Sequence, residues 1–250
     1  MTNSLGGRVA VVTGAGRHRG IGTAICRTLA EKDADVFFTH WRNGENEPGI
    51  LLEELRGAGV RVEAMELDLS LPGSPERLLN EVAERLGPPS ILVNNAARST
   101  GDGYEALDAA TLDAHYAVNL RATALLSVVF ARRFVGETGG RIVNLTSGQS
   151  LGPMPGELAY IATKGAIEAF TRTLAAEVGH KGITVNAVNP GPTNTGWMTY
   201  QLKRELSAKF SAGRVGEPED AARLVAFLAS DDAAWITGQI IHSEGGFLRS

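Results

Sequence analysis

Hydrophobic and β-branched positions gather into seven short runs: Val9 to Val12, Val36 to Thr39, Val60 to Leu67, Ile91 to Val93, Ile142 to Leu145, Ile183 to Val188 and Ile240 to His242. Each has the length of a strand, and several are almost continuously apolar, as strands covered on both faces are. Between the runs the period changes. Ile21, Ala24, Ile25, Thr28 and Leu29 recur at the spacing of one helical stripe, and longer helical stretches extend from Thr111 to Gly136 and from Leu158 to Gly179. Strand alternating with helix predicts an α/β chain: a doubly wound parallel β-sheet of about seven strands with helices on both faces.

Three polar or Gly/Pro-rich stretches interrupt this pattern: Arg42 to Gly49, Ser70 to Pro75, and Asn189 to Gly196, the last followed by a helix-like segment from Met198 to Phe210. None has the character of a linker, and no repeat or low-complexity tract is present. A single domain over residues 1–250 is expected, with 190–212 long enough to form a lid over a site.

Composition narrows the choice of partners. With 43% hydrophobic and 21% charged residues, 250 positions suffice for one large core. A formal charge of -4, its signs mixed along the chain, leaves no basic stripe for nucleic acid or an anionic membrane. No apolar run approaches the ~20 residues of a membrane span, and MTNSLGGR has no signal-peptide pattern, so a cytoplasmic location is expected. The single cysteine, Cys26, reads as a small buried apolar side chain, and no metal site is expected.

The first run passes into Thr13-Gly14-Ala15-Gly16-Arg17-His18-Arg19-Gly20-Ile21-Gly22 and then a helix. A glycine-rich turn between strand and helix presents backbone N–H groups and a helix N-terminus to a pyrophosphate. Further on, Tyr160 and Lys164 stand four apart on a helical stretch, placing phenol and ammonium on one face. A cation held near a tyrosine favours the phenolate and lowers a pKa otherwise near 10, which suggests acid–base chemistry.

Together these residues resemble the short-chain dehydrogenase/reductase family, from Val9 to Gly246 and in motif order. The resemblance rests on the glycine turn, Asn94-Asn95-Ala96-Ala97, Asn119, Ser147, Tyr160 with Lys164, and Pro190-Gly191. Five residues separate Gly14 from Gly20 where the family has three, and Ala97 stands where it usually has glycine. The resemblance implies a Rossmann-type fold and a tetrad of Asn119, Ser147, Tyr160 and Lys164. In it Tyr160 is the general acid or base and Ser147 a hydrogen-bond donor to the reacting oxygen. Lys164 binds the nicotinamide ribose and lowers the tyrosine pKa, while Asn119 holds a water that refills the proton. Cofactor contacts are implied for Gly14, Gly16, Arg19, Gly20, Ile21, Gly22, His40, Arg42, Asp68, Leu69, Asn95, Ala96, Tyr160, Lys164, Pro190, Gly191, Thr193 and Thr195.

An acidic residue commonly ends the second strand of an NAD site, whereas here His40 and Arg42 do, with Arg17, His18 and Arg19 nearby. NADP(H) is therefore favoured over NAD(H). The closest branch resembles the 3-oxoacyl-carrier-protein reductases, yet Ala176 stands where that branch often has arginine, leaving Arg132 and Arg133 as substitutes in a carrier-docking patch. A small-molecule carbonyl or alcohol substrate is ranked first, a carrier-bound acyl chain second. A non-catalytic dinucleotide sensor or scaffold, and an isomerase or epimerase, are the other readings. Family members are usually homotetramers or homodimers, and the long helices permit that.

Overall fold

The computed structural model describes residues 4–42 and 47–249. Its strands are β1 (Val9–Val12), β2 (Asp35–His40), β3 (Val62–Glu66), β4 (Ile91–Asn94), β5 (Gly140–Leu145), β6 (Ile183–Asn189) and β7 (Ile240–His242). Its helices are α1 (Ile21–Ala30), α2 (Glu47–Gly57), α3 (Ser74–Arg85), α4 (Ala109–His115), α5 (Ala122–Arg133), α6 (Leu158–Val178), α7 (Tyr200–Ser207) and α8 (Pro218–Ala229). All the described strands lie in one sheet of order β3-β2-β1-β4-β5-β6-β7, and every neighbouring pair is parallel.

Alternation along the strands divides the core in two. Ala10, Val12, Val36 and Phe38 face α1, α2 and α8, meeting Ile25, Leu29, Leu51 and Val225. Val9, Val11 and Phe37 face the other way, toward α3, α5 and α6, meeting Leu78, Phe130 and Leu174. A sheet with both faces buried needs apolar side chains at successive positions, which is why β1 and β4 are buried throughout. The chain leaves β1 toward β3 and then crosses to β4 on the other side. That reversal opens a crevice beyond the carboxyl ends of β1 and β4.

Local departures from the sequence reading have local causes. β3 is shorter than the run from Val60, because Arg61 is held by Asp35: its amide donates to Oδ1 at 2.8 Å and its guanidinium pairs with Oδ2. Of the interruption expected from Arg42 to Gly49, residues 47–49 already belong to α2, and 43–46 lie outside the described residues. Ser74-Pro75 begins α3, with proline in the first turn where its missing N–H costs nothing. The stretch from Thr111 begins at Ala109, ends at Arg133 and contains one π-helical turn, Tyr116–Arg121, between α4 and α5. By length and composition Ala109–Arg133 passes as a membrane span, contrary to the sequence reading; half of its apolar window is buried, with Leu126 and Phe130 in the core.

Candidate active site

The crevice is one continuous cleft of about 1880 Å³ running from β2 to the C-terminal segment. At its first end the glycine turn is pressed against the loop after β4. A Cβ on Gly14 would lie 2.6 Å from Ala96 Cα, and one on Gly22 would lie 2.5 Å from Gly14 O, so glycine is required at both. Thr13 Oγ1 accepts the amides of Asn95 and Ala96 at 3.0 and 3.1 Å, while Asn95 Nδ2 donates to Thr13 O and Gly14 O. Gly20 brings no side chain to the N-cap of α1, which leaves the donors of its first turn for a ligand.

Charge reinforces this geometry. Among the lining residues six cations (Arg17, Arg42, Arg98, Arg121, Lys209 and Arg249) face three carboxylates (Asp68, Asp113 and Glu157), although the chain is acidic overall. His40 ends β2 opposite Glu66, and burial lowers its pKa against the pull of that carboxylate. The Arg42 guanidinium stacks on the Trp41 ring at 5.2 Å.

The catalytic set implied by the sequence converges at the other end. Tyr160 and Lys164 stand on α6, and Ser147 on the loop leaving β5. Burial pushes the Tyr160 phenol up to about 12; its hydrogen bond with Ser147 pulls the other way, and Glu157 adds to the rise. Lys164 is buried beneath it, donates to Leu145 O at 2.6 Å and stands 5.5 Å from the ring centroid. Burial lowers this ammonium to about 8. Desolvation of the phenol is the largest cause of the rise, opposite in direction to the lowering expected of Lys164. Asn119 is fully buried in the π-helical turn. Its Nδ2 donates to Arg98 O at 2.9 Å and Thr163 Oγ1 at 3.0 Å, and its Oδ1 accepts Arg98 N at 2.7 Å. It ties the loop after β4 to α6 and does not line the cleft.

Of the residues implied for the cofactor, Gly14, Gly20, Ile21, Gly22, His40, Arg42, Asp68, Leu69, Asn95, Ala96, Tyr160, Pro190, Gly191, Thr193 and Thr195 line the cleft. Gly16, Arg19 and Lys164 lie outside its lining, and Arg17 takes the place expected of Arg19. Gly16 turns its amide inward to Thr23 Oγ1 at 3.0 Å. Arg132 and Arg133 end α5 at the far side from Arg121, roughly 18 Å away at 1.5 Å per residue.

Sequence reasoning missed two supports. Asp102 caps α6 from the loop after β4, its carboxylate accepting Leu158 N at 2.6 Å and Ala159 N at 2.9 Å; no local pattern marks a cap supplied from so far along the chain. At the substrate end Arg249 pairs with Glu244, which also accepts Asn189 Nδ2 at 2.8 Å. This pair joins the C-terminal segment to the end of β6, while the arginine lies over Gly148 and Gly152.

A switch-point cleft with a glycine cradle, a cationic first end and a tyrosine–lysine pair at the second defines a dinucleotide-dependent oxidoreductase. Residues 14–248 match the family model described as enoyl-(acyl carrier protein) reductase. The chain is 56% identical over 244 residues, 97% of each protein, to the uncharacterized oxidoreductase YjdA of Bacillus subtilis (strain 168). The promiscuous reductase LugOII, which catalyses keto-reduction at C1 during lugdunomycin biosynthesis, is 35% identical with a TM-score of 0.89, covering 97% of this chain and 98% of that one. A blue fluorescent protein from a metagenomic library, solved in complex with NADPH, is 34% identical with a TM-score of 0.90, covering 98% and 100%. The chain belongs to the short-chain dehydrogenase/reductase family.

Proposed function

We propose that the protein is an NADP(H)-dependent oxidoreductase that interconverts a small or medium-sized carbonyl compound and its secondary alcohol. The carrying observation is that Tyr160 and Ser147 line one end of the same cleft whose other end carries Arg17 and Arg42. The cradle of Gly14, Gly22, Asn95 and Ala96 suits a pyrophosphate, and Arg17, His40 and Arg42 suit a 2′-phosphate where an acidic residue would repel one. Thr193 and Thr195, with Pro190-Gly191, suit the nicotinamide end. A bound nicotinamide supplies the hydride. Ser147 donates to the substrate oxygen, and Tyr160 gives its proton to the oxygen as it gains negative charge. Lys164 lies beneath Tyr160 outside the cleft lining; with one of its three donors taken by Leu145 O, it would hold ribose hydroxyls with the others. Asn119 acts by holding the loop after β4 against α6.

The NADPH complex of one structural relative and the keto-reduction of another support this reading. A carrier-bound acyl substrate is disfavoured because Arg132 and Arg133 stand at the opposite end of α5 from Arg121, which lines the cleft. Residues 190–212, with α7 lacking any buried side chain, are proposed as the lid. The test is a fluorescence titration with NADPH and with NADH, followed by turnover of ketones, β-keto esters and β-keto thioesters. Tighter NADPH binding with turnover of a ketone is expected. Binding without turnover of any panel member would favour a sensor, and binding of neither dinucleotide would remove the reading of the cleft.

A further inference from the structure

Beyond Tyr160 and Lys164, the same face of α6 carries a third ionisable group to which the proposed chemistry assigns nothing. Glu168 follows Lys164 by one turn and Tyr160 by two, and it is only 5% exposed. Its Oε1 accepts hydrogen bonds from the loop that holds Ser147: from Gln149 Nε2 at 2.6 Å and Ser150 Oγ at 3.2 Å, with Thr146 Oγ1 at 3.3 Å sharing its one proton between this oxygen and Lys164 O at 3.2 Å. Main-chain bonds in this segment lie toward its ends, from Thr146 N to Val188 O at 2.9 Å and from Leu151 N to Gly148 O at 3.0 Å. The second of these closes a turn over Gln149 and Ser150, and side chains that reach one carboxylate oxygen tie that turn to α6, while the Ser147 hydroxyl itself lies 3.8 Å from Met154 Sδ. Thr146 on one side of Ser147, and Gln149 and Ser150 on the other, are thereby tied to the helix that also bears Tyr160.

We infer that Glu168 is a positioning residue that holds the Ser147 hydroxyl at its working distance from Tyr160. It touches neither substrate nor cofactor. Its effect reaches the reaction through Ser147, so one rigid helix sets both groups that meet the substrate oxygen. Misplacing such a donor by about an ångström costs up to about a hundredfold in rate.

This inference rests on the proposed role of Ser147, and the experiment separates the two. Turnover of the full chain with NADPH and the fastest ketone of the panel is measured for Ser147→Ala, Glu168→Gln, Glu168→Ala and the two double variants. Glutamine keeps the volume and one acceptor, and it is the variant to read if the alanine form does not fold. Expected are a kcat about tenfold lower for Glu168→Gln and up to about a hundredfold lower for Glu168→Ala, with NADPH affinity changed less than about twofold. Each double variant should then be no slower than Ser147→Ala alone, because a group acting through Ser147 has nothing left to position. Effects that multiply in the double variants, or NADPH affinity that falls in step with kcat, would overturn the inference. If Ser147→Ala turns over normally, the reading of Ser147 fails instead. A crystal structure of Glu168→Gln then decides the positioning on its own, displacement of Ser147 relative to Tyr160 supporting it and an unmoved Ser147 refuting it.

Discussion

Tyr160 and Lys164 move in opposite directions for the same reason: burial disfavours whichever form is charged. The phenol therefore stays protonated throughout the neutral range, ready to act as an acid in carbonyl reduction. Alcohol oxidation needs the phenolate, so its rate should climb with pH across the alkaline range while reduction does not; a shared pH optimum in initial-rate profiles would contradict this. Tyr160→Phe should bind NADPH normally and lose at least about two orders of magnitude in kcat. Lys164 carries a stability cost as well. Its folded pKa of about 8 lies below the ordinary lysine value of 10.5, so below pH 8 folding must bury a charge, at about 3 kcal/mol. That cost shrinks as pH rises from about 8 toward 10.5 and then vanishes. Lys164→Met should accordingly melt higher than the parent at pH 7, by a margin that closes in melts at alkaline pH, while being inactive.

At the scale of elements, the helix that carries the chemistry is started by a residue outside it. Two amides of the first turn of α6 point at Asp102, and removing a cap of this kind costs about 1 kcal/mol. Asp102→Ala should lower the melting temperature by a few degrees and Asp102→Asn by less, read by calorimetry; equal melting of parent and alanine variant would remove the capping role. The same element shows what the amino-acid pattern reveals. The period of hydrophobic residues located α6 almost to the residue, and all seven strands, the central ones because burial on both sheet faces leaves an unbroken apolar signature. Tyr160 and Lys164 were legible by spacing, and Ser147 through the family resemblance. Asp102 was not, since its partners lie 56 and 57 positions away, nor was the π-helical turn, which places Asn119 inward through tertiary packing. The clash that a side chain at Gly14 would make with Ala96 is likewise a fact of two loops meeting. Arg17 and Arg19 show the limit of local reading: two arginines in one turn, told apart only by which one the folded turn directs into the cleft.

For the molecule as a whole, the distribution of charge matters more than its sum. A chain of formal charge -4 gathers cations along one cleft, with Arg17 and Arg42 at the end where a 2′-phosphate would sit. Arg42→Ala should raise the KM for NADPH about tenfold and leave that for NADH nearly unchanged, with the gap narrowing at high salt; equal effects on both dinucleotides would show that Arg42 does not read the phosphate. We also propose a homotetramer or homodimer. β7 is an edge strand, Ile240 and Ile241 on it are half-buried, and Trp235 just before it is 98% exposed. Light scattering giving a 26.4 kDa particle would contradict that.

Helix α7 contributes no buried side chain, although it sits between Trp197 and Lys209, which both line the cleft. Residues whose loss costs the core nothing can vary without threatening the fold, so this segment is where new substrate ranges can arise most readily. A library randomised over 200–207 should retain nearly as many soluble members as the parent. One randomised over the buried strand 140–145 should lose most of them. Substrate choice in this protein would then be free to drift while the machinery of hydride transfer stands still.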